Sequence, residues 1–171
     1  MKWYYKDLIN WIENGCNKVV GESITELNIN NNKLTTLPPE IGNLINLQYF
    51  GCNNNKLTTL LPEIGNLINL QQFNCAYNKL ATLPPEIGNL INLQILNCGK
   101  NNLATLPPEI CNLINLREFY YNNNLIEYIN PQIIRFLNRN KSVQLMHNHN
   151  IQERIKNGVQ YIMSIKSETV Y

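Results

Sequence analysis

Apolar residues follow two patterns that succeed each other along this chain. Between residues 70 and 80 they occupy the first, fourth and sixth positions, filled by Leu70, Phe73 and Cys75. Alternation with a period of two predicts a short strand with one buried face. The next stretch reads Leu-Pro-Pro-Glu-Ile-Gly-Asn-Leu, in which proline and glutamate suit the first turn of a short helix and glycine suits its end. One strand and one helical turn therefore form the predicted unit.

This unit recurs at a fixed spacing of 23 residues. Five copies align without insertion or deletion, at 24–46, 47–69, 70–92, 93–115 and 116–138. Parallel strands need a crossover between them, and the helical half of each copy supplies it. The second copy has Leu61 in place of a proline, the fourth has Cys111 in place of glycine, and the fifth continues into a longer predicted helix. We therefore expect coils that contact mainly their neighbours.

Within each copy the residues follow L-x-x-L-x-L-x-x-N-x-L, and this pattern resembles the leucine-rich repeat. The half-repeat LPPEIGNLINL is similar to the 23-residue class of intracellular, Ras-suppressor-like proteins. The bias toward Asn, Ile, Lys and Tyr, with 32 asparagines, resembles that of repeat proteins from giant DNA viruses of the Mimivirus type or from AT-rich protists. The resemblance implies an α/β solenoid, a right-handed arc with a parallel sheet on its concave face and short α or 3₁₀ turns on its convex face.

The two ends depart from the repeat and are predicted to cap one domain that spans residues 1–171. In residues 1–23 the helical spacing i, i+4, i+7 and i+8 is filled by Tyr4, Leu8, Trp11 and Ile12. The following Asn14-Gly15 predicts the end of this helix. Such a helix would cover the apolar edge of the first coil, and a partner-binding helix is the alternative.

The C-terminal cap is predicted at residues 139–171. Ser142–Met146 suits a last strand, 147–150 a loop, and Ile151 to Lys166 a closing helix before a frayed end. His147 and His149 lie in that loop. A His-x-His pair could hold a metal with a third ligand, but a polar loop that precedes a helix is the simpler interpretation.

Composition and charge exclude several classes of function. Net charge is +2; residues 24–138 carry six basic and seven acidic side chains, and 139–171 carry five and two. No basic groove is predicted, so we expect no nucleic-acid binding. Lys6, Asp7 and Glu13 interrupt the N-terminal apolar residues, and no apolar run approaches the ~20 residues of a membrane span. We expect no membrane association and no secretion, but a cytoplasmic monomer, in a host cell or virion if the protein is viral.

Because the period is constant, each repeat position becomes a row of stacked side chains. One row is predicted to be a structural ladder in which side-chain amides satisfy backbone groups of their own coil and the next: Asn32, Asn55, Asn78, Asn101 and Asn124. Glutamates at the helix starts are predicted to be solvated: Glu40, Glu63, Glu86 and Glu109. Lys33, Lys56 and Lys79 form a basic row.

The cysteines offer little chemistry. Cys52, Cys75 and Cys98 occupy the inward sixth position, where small thiols fill a core. A straight ladder without histidine lacks the convergent ligands of a metal site, and no base stands beside a thiol to activate it. Five cysteines at repeat-locked spacing are also a poor disulfide framework. We expect no enzymatic activity, cofactor or metal, and we assign no role to Cys16 or Cys111.

The outward-facing strand positions vary most between copies and predict the binding surface. Aromatic and apolar side chains stand among uncharged amides there, as in protein-binding patches, while Gly51, Ala76 and Gly99 are expected to leave space between them. The predicted partner-binding residues are Tyr49, Gln72, Asn74, Ile95, Asn97, Glu118 and Tyr120. The partner is an unknown protein, and no small-molecule substrate is expected. The alternative is a self-associating or particle-packaged structural protein that uses its end caps, through Trp3 or Trp11.

Overall fold

The computed structural model of this chain describes residues 1–139 and 144–146. Parallel strands lie side by side in chain order in one seven-stranded sheet: β1 Lys2–Tyr4, β2 Glu26–Asn28, β3 Tyr49–Gly51, β4 Gln72–Asn74, β5 Ile95–Asn97, β6 Glu118–Tyr120 and β7 Gln144–Met146. From β2 to β6 the paired residues are 23 positions apart, as Tyr49 and Gln72 are. The predicted repeat solenoid with a parallel sheet is therefore confirmed.

Between strands the chain returns through single 3₁₀ turns: Pro39–Asn43, Pro62–Asn66, Pro85–Asn89 and Pro108–Asn112. Each begins with proline, which has no amide donor to lose at a helix start. Leu61 precedes the second turn with φ −80° and ψ 150°, close to φ −72° and ψ 136° of Pro38 before the first. The leucine is tolerated because it adopts the same extended backbone.

The hydrophobic core extends along the solenoid as rows of stacked side chains, one from each coil. The middle residue of each strand from β1 to β6 points into it and is buried: Trp3, Leu27, Phe50, Phe73, Leu96 and Phe119. The rings of Phe50 and Phe73 stack with centroids 5.2 Å apart and planes 7° apart. A second buried row lies two residues further along each copy: Ile29, Cys52, Cys75, Cys98 and Tyr121. The 23-residue period therefore brings like side chains into contact.

The N-terminal segment begins with a strand, which corrects the prediction that Tyr4 belongs to a helical face. β1 pairs with β2, so Trp3 lies beside Leu27 and extends the core. Helix α1, Tyr5–Glu13, starts only after it, and Tyr4 is exposed. The Oδ2 atom of Asp7 accepts a hydrogen bond from the Tyr4 amide (2.8 Å) and so caps the helix start.

A second short helix, α2, Lys18–Glu22, completes the N-terminal cap. Trp11 packs over it because Gly21 has no side chain: a Cβ atom there would lie 2.8 Å from Cζ2 of Trp11. The indole N–H of Trp11 donates to the Asn17 carbonyl (2.9 Å), and its ring lies 5.6 Å from that of Trp3. The cap is thus an aromatic cluster with both tryptophans buried.

At the other end the fifth copy continues into helix α3, Pro131–Arg139, as its sequence predicts. Asn130 Oδ1 accepts from the Gln132 amide (2.9 Å), and Ile133 and Leu137 are buried. β7 then pairs with β6, within the strand predicted for Ser142–Met146. The loop with His147 and His149, the closing helix and the frayed end lie outside the described residues. In the described part of the chain, no helix combines the length and apolar character that crossing a bilayer requires.

Candidate interaction surface

Two rows of outward-facing side chains line the concave face. The first residues of β1 to β6 form what we call the entry row: Lys2, Glu26, Tyr49, Gln72, Ile95 and Glu118. Their third residues form the exit row: Tyr4, Asn28, Gly51, Asn74, Asn97 and Tyr120. All seven predicted partner-binding residues lie in these two rows, so the structure places them on one face.

Charge in the entry row is confined to its ends. The Lys2 Nζ atom lies 3.1 Å from Glu26 Oε2, and this hydrogen bond is the main reason that the pKa of Lys2 is raised. Glu118 stands at the opposite end. The middle of the row consists of uncharged side chains, with Gln72 exposed and Tyr49 and Ile95 half-buried. A partner would therefore meet apolar and amide groups at the centre of the face.

Tyr120 and Glu118 act as one unit. The Tyr120 hydroxyl donates to Glu118 Oε2 at 2.6 Å, and this bond, with partial burial, raises the pKa of Tyr120. The pair is half-buried beside the last described coils. A ligand that takes the carboxylate of Glu118 must compete with the tyrosine hydroxyl for it.

The exit-row asparagines bind their own strand ends. The Oδ1 atoms of Asn28, Asn74 and Asn97 accept from the amide two residues further on, at 3.2, 3.2 and 3.1 Å. These bonds are local Asx turns, which a short amide side chain makes readily. Asn74 and Asn97, predicted as partner-binding, therefore also have a structural role that orients their Nδ2 donors.

The small residues of the concave face do not leave space, which corrects the sequence prediction. Gly51 is buried, because a Cβ atom there would lie 2.8 Å from the Tyr49 hydroxyl and 3.0 Å from Asn30 Oδ1. Gly99 is covered in the same way by Asn122, whose Oδ1 would lie 2.9 Å from a Cβ. Ala76 is 3% exposed. The side chains of Tyr49, Asn30 and Asn122 therefore fill the space that the two glycines were expected to leave.

The predicted asparagine ladder joins each coil to the one before it, not to the next. Asn78 Nδ2 donates to the carbonyls of Cys75 in its own coil (3.1 Å) and Cys52 in the preceding coil (3.0 Å). Its Oδ1 accepts from the amide of Leu57, also in the preceding coil (3.0 Å). Asn55, Asn101 and Asn124 repeat this arrangement. Asn32 has no earlier coil to join; it is exposed and donates to the Asn30 carbonyl.

A second asparagine ladder, absent from the sequence prediction, runs along the opposite ends of the strands. Its members donate through Nδ2 to a carbonyl 24 residues earlier at 2.8 to 3.0 Å: Asn46, Asn69, Asn92 and Asn115. Asparagine closes each of the first four copies, and that was the signal available in the sequence. With Gln48, Gln71 and Gln94, the last three line a shallow groove of about 340 Å³.

The buried thiols are held neutral. Burial raises the pKa of Cys75 to about 12 and raises the pKa of Cys52 and Cys98 well above its ordinary value. A thiol of this kind is a poor nucleophile because the thiolate is the reactive form. Within residues 1–139 and 144–146, no group of histidine, cysteine and acidic side chains could hold a metal ion.

The glutamates of the 3₁₀ turns are half-buried, not solvated as predicted. Glu86 even buries its Oε2 atom with no hydrogen-bond partner, and nothing in the structure explains this. Close packing of successive turns is responsible for the burial of the row, since a Cβ at Gly65 would lie 2.8 Å from Glu86 Cβ. These carboxylates stand one per turn, and the geometry offers no acid–base pair.

Family comparison finds three leucine-rich repeats in the chain, at residues 23–44, 69–90 and 92–113. A search of the curated proteins finds no match. Among solved structures, a leucine-rich repeat protein of Leptospira interrogans is 41% identical with a TM-score of 0.68. The match covers 72% of this chain but only 31% of that one, so this chain spans less than a third of its length.

Two plant structures are also similar. The leucine-rich repeat ectodomain of the receptor kinase SOBIR1 from Arabidopsis thaliana is 27% identical with a TM-score of 0.61, covering 72% of this chain and 68% of that one. The ectodomain of GASSHO1/SCHENGEN3 from Arabidopsis thaliana, in complex with Casparian strip integrity factor 2, is 31% identical with a TM-score of 0.62, covering 73% and 15%. The repeats and the fold of the chain are therefore those of a leucine-rich repeat protein.

Proposed function

We propose that this leucine-rich repeat chain is a non-catalytic module that binds a protein partner through the concave face of its sheet. One observation carries the proposal: the entry row changes from Tyr49 to Gln72 to Ile95 on adjacent strands, while the buried framework beneath it repeats. Packing dictates the framework and leaves the concave positions free to vary. Aromatic and amide side chains at the centre of the face suit a protein surface.

Other findings support this role without naming a partner. A similar plant ectodomain was solved in complex with Casparian strip integrity factor 2, which is a precedent for binding by this fold. The buried, neutral thiols and the dispersed carboxylates argue against catalysis. The alternative of self-association through the caps loses its N-terminal basis, because Trp3 and Trp11 are 7% and 5% exposed and belong to the core.

We also propose a repeat class, a source and a cellular location for this chain. The constant 23-residue offset between strands supports a Ras-suppressor-like repeat class, and the asparagine-rich composition supports an origin in a giant DNA virus or an AT-rich protist. All five cysteines are free, as suits a reducing cytoplasm. We propose a monomer there that binds neither nucleic acid nor a small-molecule substrate.

The test is quantitative affinity enrichment from a lysate of the source organism or its host. The concave variant combines Tyr49→Ala, Ile95→Ala and Tyr120→Ala. The matched control removes three exposed isoleucines that lie off the sheet, Ile68→Ala, Ile91→Ala and Ile114→Ala. A partner that wild type and control retain and the concave variant loses supports the proposal, provided that the melting curves show all three proteins folded. Equal retention by all three contradicts it.

A further inference from the structure

Exposed lysines follow the edge of the solenoid where the chain leaves its strands. Lys33, Lys56 and Lys79 occupy the same position of the first three copies, and Lys100 lies two positions earlier in the fourth. The Lys56 amide donates to the Leu34 carbonyl (2.7 Å) and the Lys79 amide to that of Leu57 (2.8 Å), so these loops stack coil on coil. We call these four residues the lysine edge.

Within residues 1–139, no acidic side chain forms an ion pair with these four lysines. The loops that carry the lysines, residues 30–38, 53–61, 76–84 and 99–107, contain neither aspartate nor glutamate. Both ion pairs within residues 1–139 lie elsewhere, between Lys2 and Glu26 and between Lys18 and Glu22. Neighbouring coils bring like charges to within about 5 Å of backbone separation, where they repel. The described part of the chain therefore offers these lysines no ion-pair partner.

Three residues at this edge occupy the left-handed backbone conformation that is unfavourable for most side chains: Lys33 at φ 60°, Tyr77 and Lys100. The eighth position of each copy is left-handed, and copies one, two and five fill it with asparagine, which tolerates that conformation. Copies three and four instead have Tyr77 at φ 54° and Lys100 at φ 53°. The Lys100 Nζ atom lies 4.4 Å from the centre of the Tyr77 ring, and the tyrosine is 52% exposed. The chain thus places an aromatic ring and a cation where asparagine fits better.

We propose that the lysine edge binds an acidic, extended segment of a protein partner, with its side chains packing on the ring of Tyr77. Four lysines on consecutive coils span roughly 14 Å, which an extended strand covers in about five residues. This site is separate from the concave face. It extends the proposed function by a second contact of defined chemistry.

An acidic polypeptide fits this edge better than a nucleic acid does. The repeats carry six basic and seven acidic side chains, so a long polyanion that reached past the edge would meet glutamates. A short acidic segment responds only to charges within about 8 Å at physiological ionic strength. Uncharged amides of Asn31 and Asn54, joined through a side-chain hydrogen bond, flank the lysines and can contact a peptide backbone.

The probe is a fluorescent, glutamate-rich peptide of about eight residues with blocked termini. Binding to the full chain is measured by anisotropy between about 50 and 200 mM salt. The peptide with glutamine in place of glutamate and an oligothymidylate of equal charge are the comparison ligands. We expect the acidic peptide to bind with an affinity that falls as the salt concentration rises. We expect neither comparison ligand to bind.

The edge variant neutralises all four lysines to glutamine. Its matched control neutralises four exposed cations that lie elsewhere, Lys6, Lys18, Arg117 and Arg135, so that both proteins change net charge equally. We expect the edge variant to weaken peptide binding at least about tenfold and the control to change it less than about twofold. Equal losses in both variants, or absent binding, overturn the proposal. Tighter binding of oligothymidylate that the edge variant abolishes would assign the edge to nucleic acid instead.

A second variant, Tyr77→Asn with Lys100→Asn, separates binding from folding. It restores the asparagine of the other copies, so we expect its melting temperature to rise by roughly 2–4 °C while peptide affinity falls at least about threefold. Unchanged affinity overturns the role of this pair. The concave variant described above should bind the acidic peptide as wild type does, so the two proposals can fail independently.

Discussion

Single residues in this fold differ in importance according to how many coils they join. The side chain of Asn78 bonds four backbone groups of two coils and is 9% exposed, whereas that of Asn32, at the equivalent position of the first copy, is exposed and makes one bond within its own coil. A buried amide or carbonyl that loses its partner costs far more than an exposed one, because water replaces the lost bond only at the surface. Loss of the asparagine side chain should therefore cost much more folding free energy in a buried copy of this row than in the exposed first copy.

We accordingly expect Asn78→Ala to lower the free energy of unfolding by ~1–3 kcal/mol, since it leaves the buried Leu57 amide unpaired and removes one of the two hydrogen bonds that the Cys52 carbonyl accepts. Asn32→Ala should cost less than ~0.5 kcal/mol. Urea denaturation followed by circular dichroism measures both. Similar costs for the two variants would contradict the ladder described here.

We expect the buried thiols to make the free energy of unfolding fall as the pH rises above 9. Burial raises the pKa of Cys75 from 9.0 to about 12, so the folded state holds its proton more tightly than the unfolded state does. The stabilisation is complete below pH 9 and is lost as the pH rises toward 12, by up to about 1.4 kcal/mol per pH unit for each thiol. Cys75→Ala should flatten this decline, measured by urea denaturation from about pH 8 to 11. Cys16→Ala is the control: this thiol is partly exposed and burial raises its pKa less than that of Cys75, so the substitution should flatten the decline less.

At the scale of elements, sequence reasoning succeeded where the signal lies within one copy. Strand alternation, the proline that opens each turn and the row of buried residues all recur locally, so the sheet and turns could be predicted. β1 could not, because its partner strand begins 24 residues away, at Glu26, and three residues carry no clear period. The concave glycines were misjudged because their cover comes from the side-chain orientations of Asn30, Tyr49 and Asn122, which sequence does not specify.

Glycine in the 3₁₀ turns is required by the turn that follows. A Cβ at Gly65 would lie 2.8 Å from both Cβ and the carbonyl oxygen of Glu86, so Gly65→Ala should cost about 1–3 kcal/mol. Cys111 holds the equivalent position of the fourth turn, where the next coil continues as α3 instead of a 3₁₀ turn. Cys111→Ala should therefore cost less than ~1 kcal/mol. Thermal and urea denaturation of both variants measure the contrast, and equal costs would show that the next turn does not set the requirement.

At the scale of the whole molecule, the linear core distributes stability unevenly. An inner coil packs against two neighbours, whereas the first and last coils have one neighbour and a cap. Both tryptophans lie in the N-terminal cap, so their fluorescence reports that end, while far-ultraviolet circular dichroism reports the entire chain. The two signals therefore allow unfolding of the cap to be separated from unfolding of the coils.

We expect a cavity in either cap to make the fluorescence and circular dichroism transitions occur at different urea concentrations. The order of the two transitions should be opposite for the two caps. Leu8 in α1 and Ile133 in α3 are both 0% exposed, so replacing either with alanine should cost ~2–4 kcal/mol locally. In Leu8→Ala, tryptophan fluorescence should change at lower urea than circular dichroism, because the N-terminal cap opens first. In Ile133→Ala the order should reverse. Coincident transitions in both variants would mean that the caps unfold only with the complete solenoid, and that coupling along the coils is stronger than nearest-neighbour packing implies.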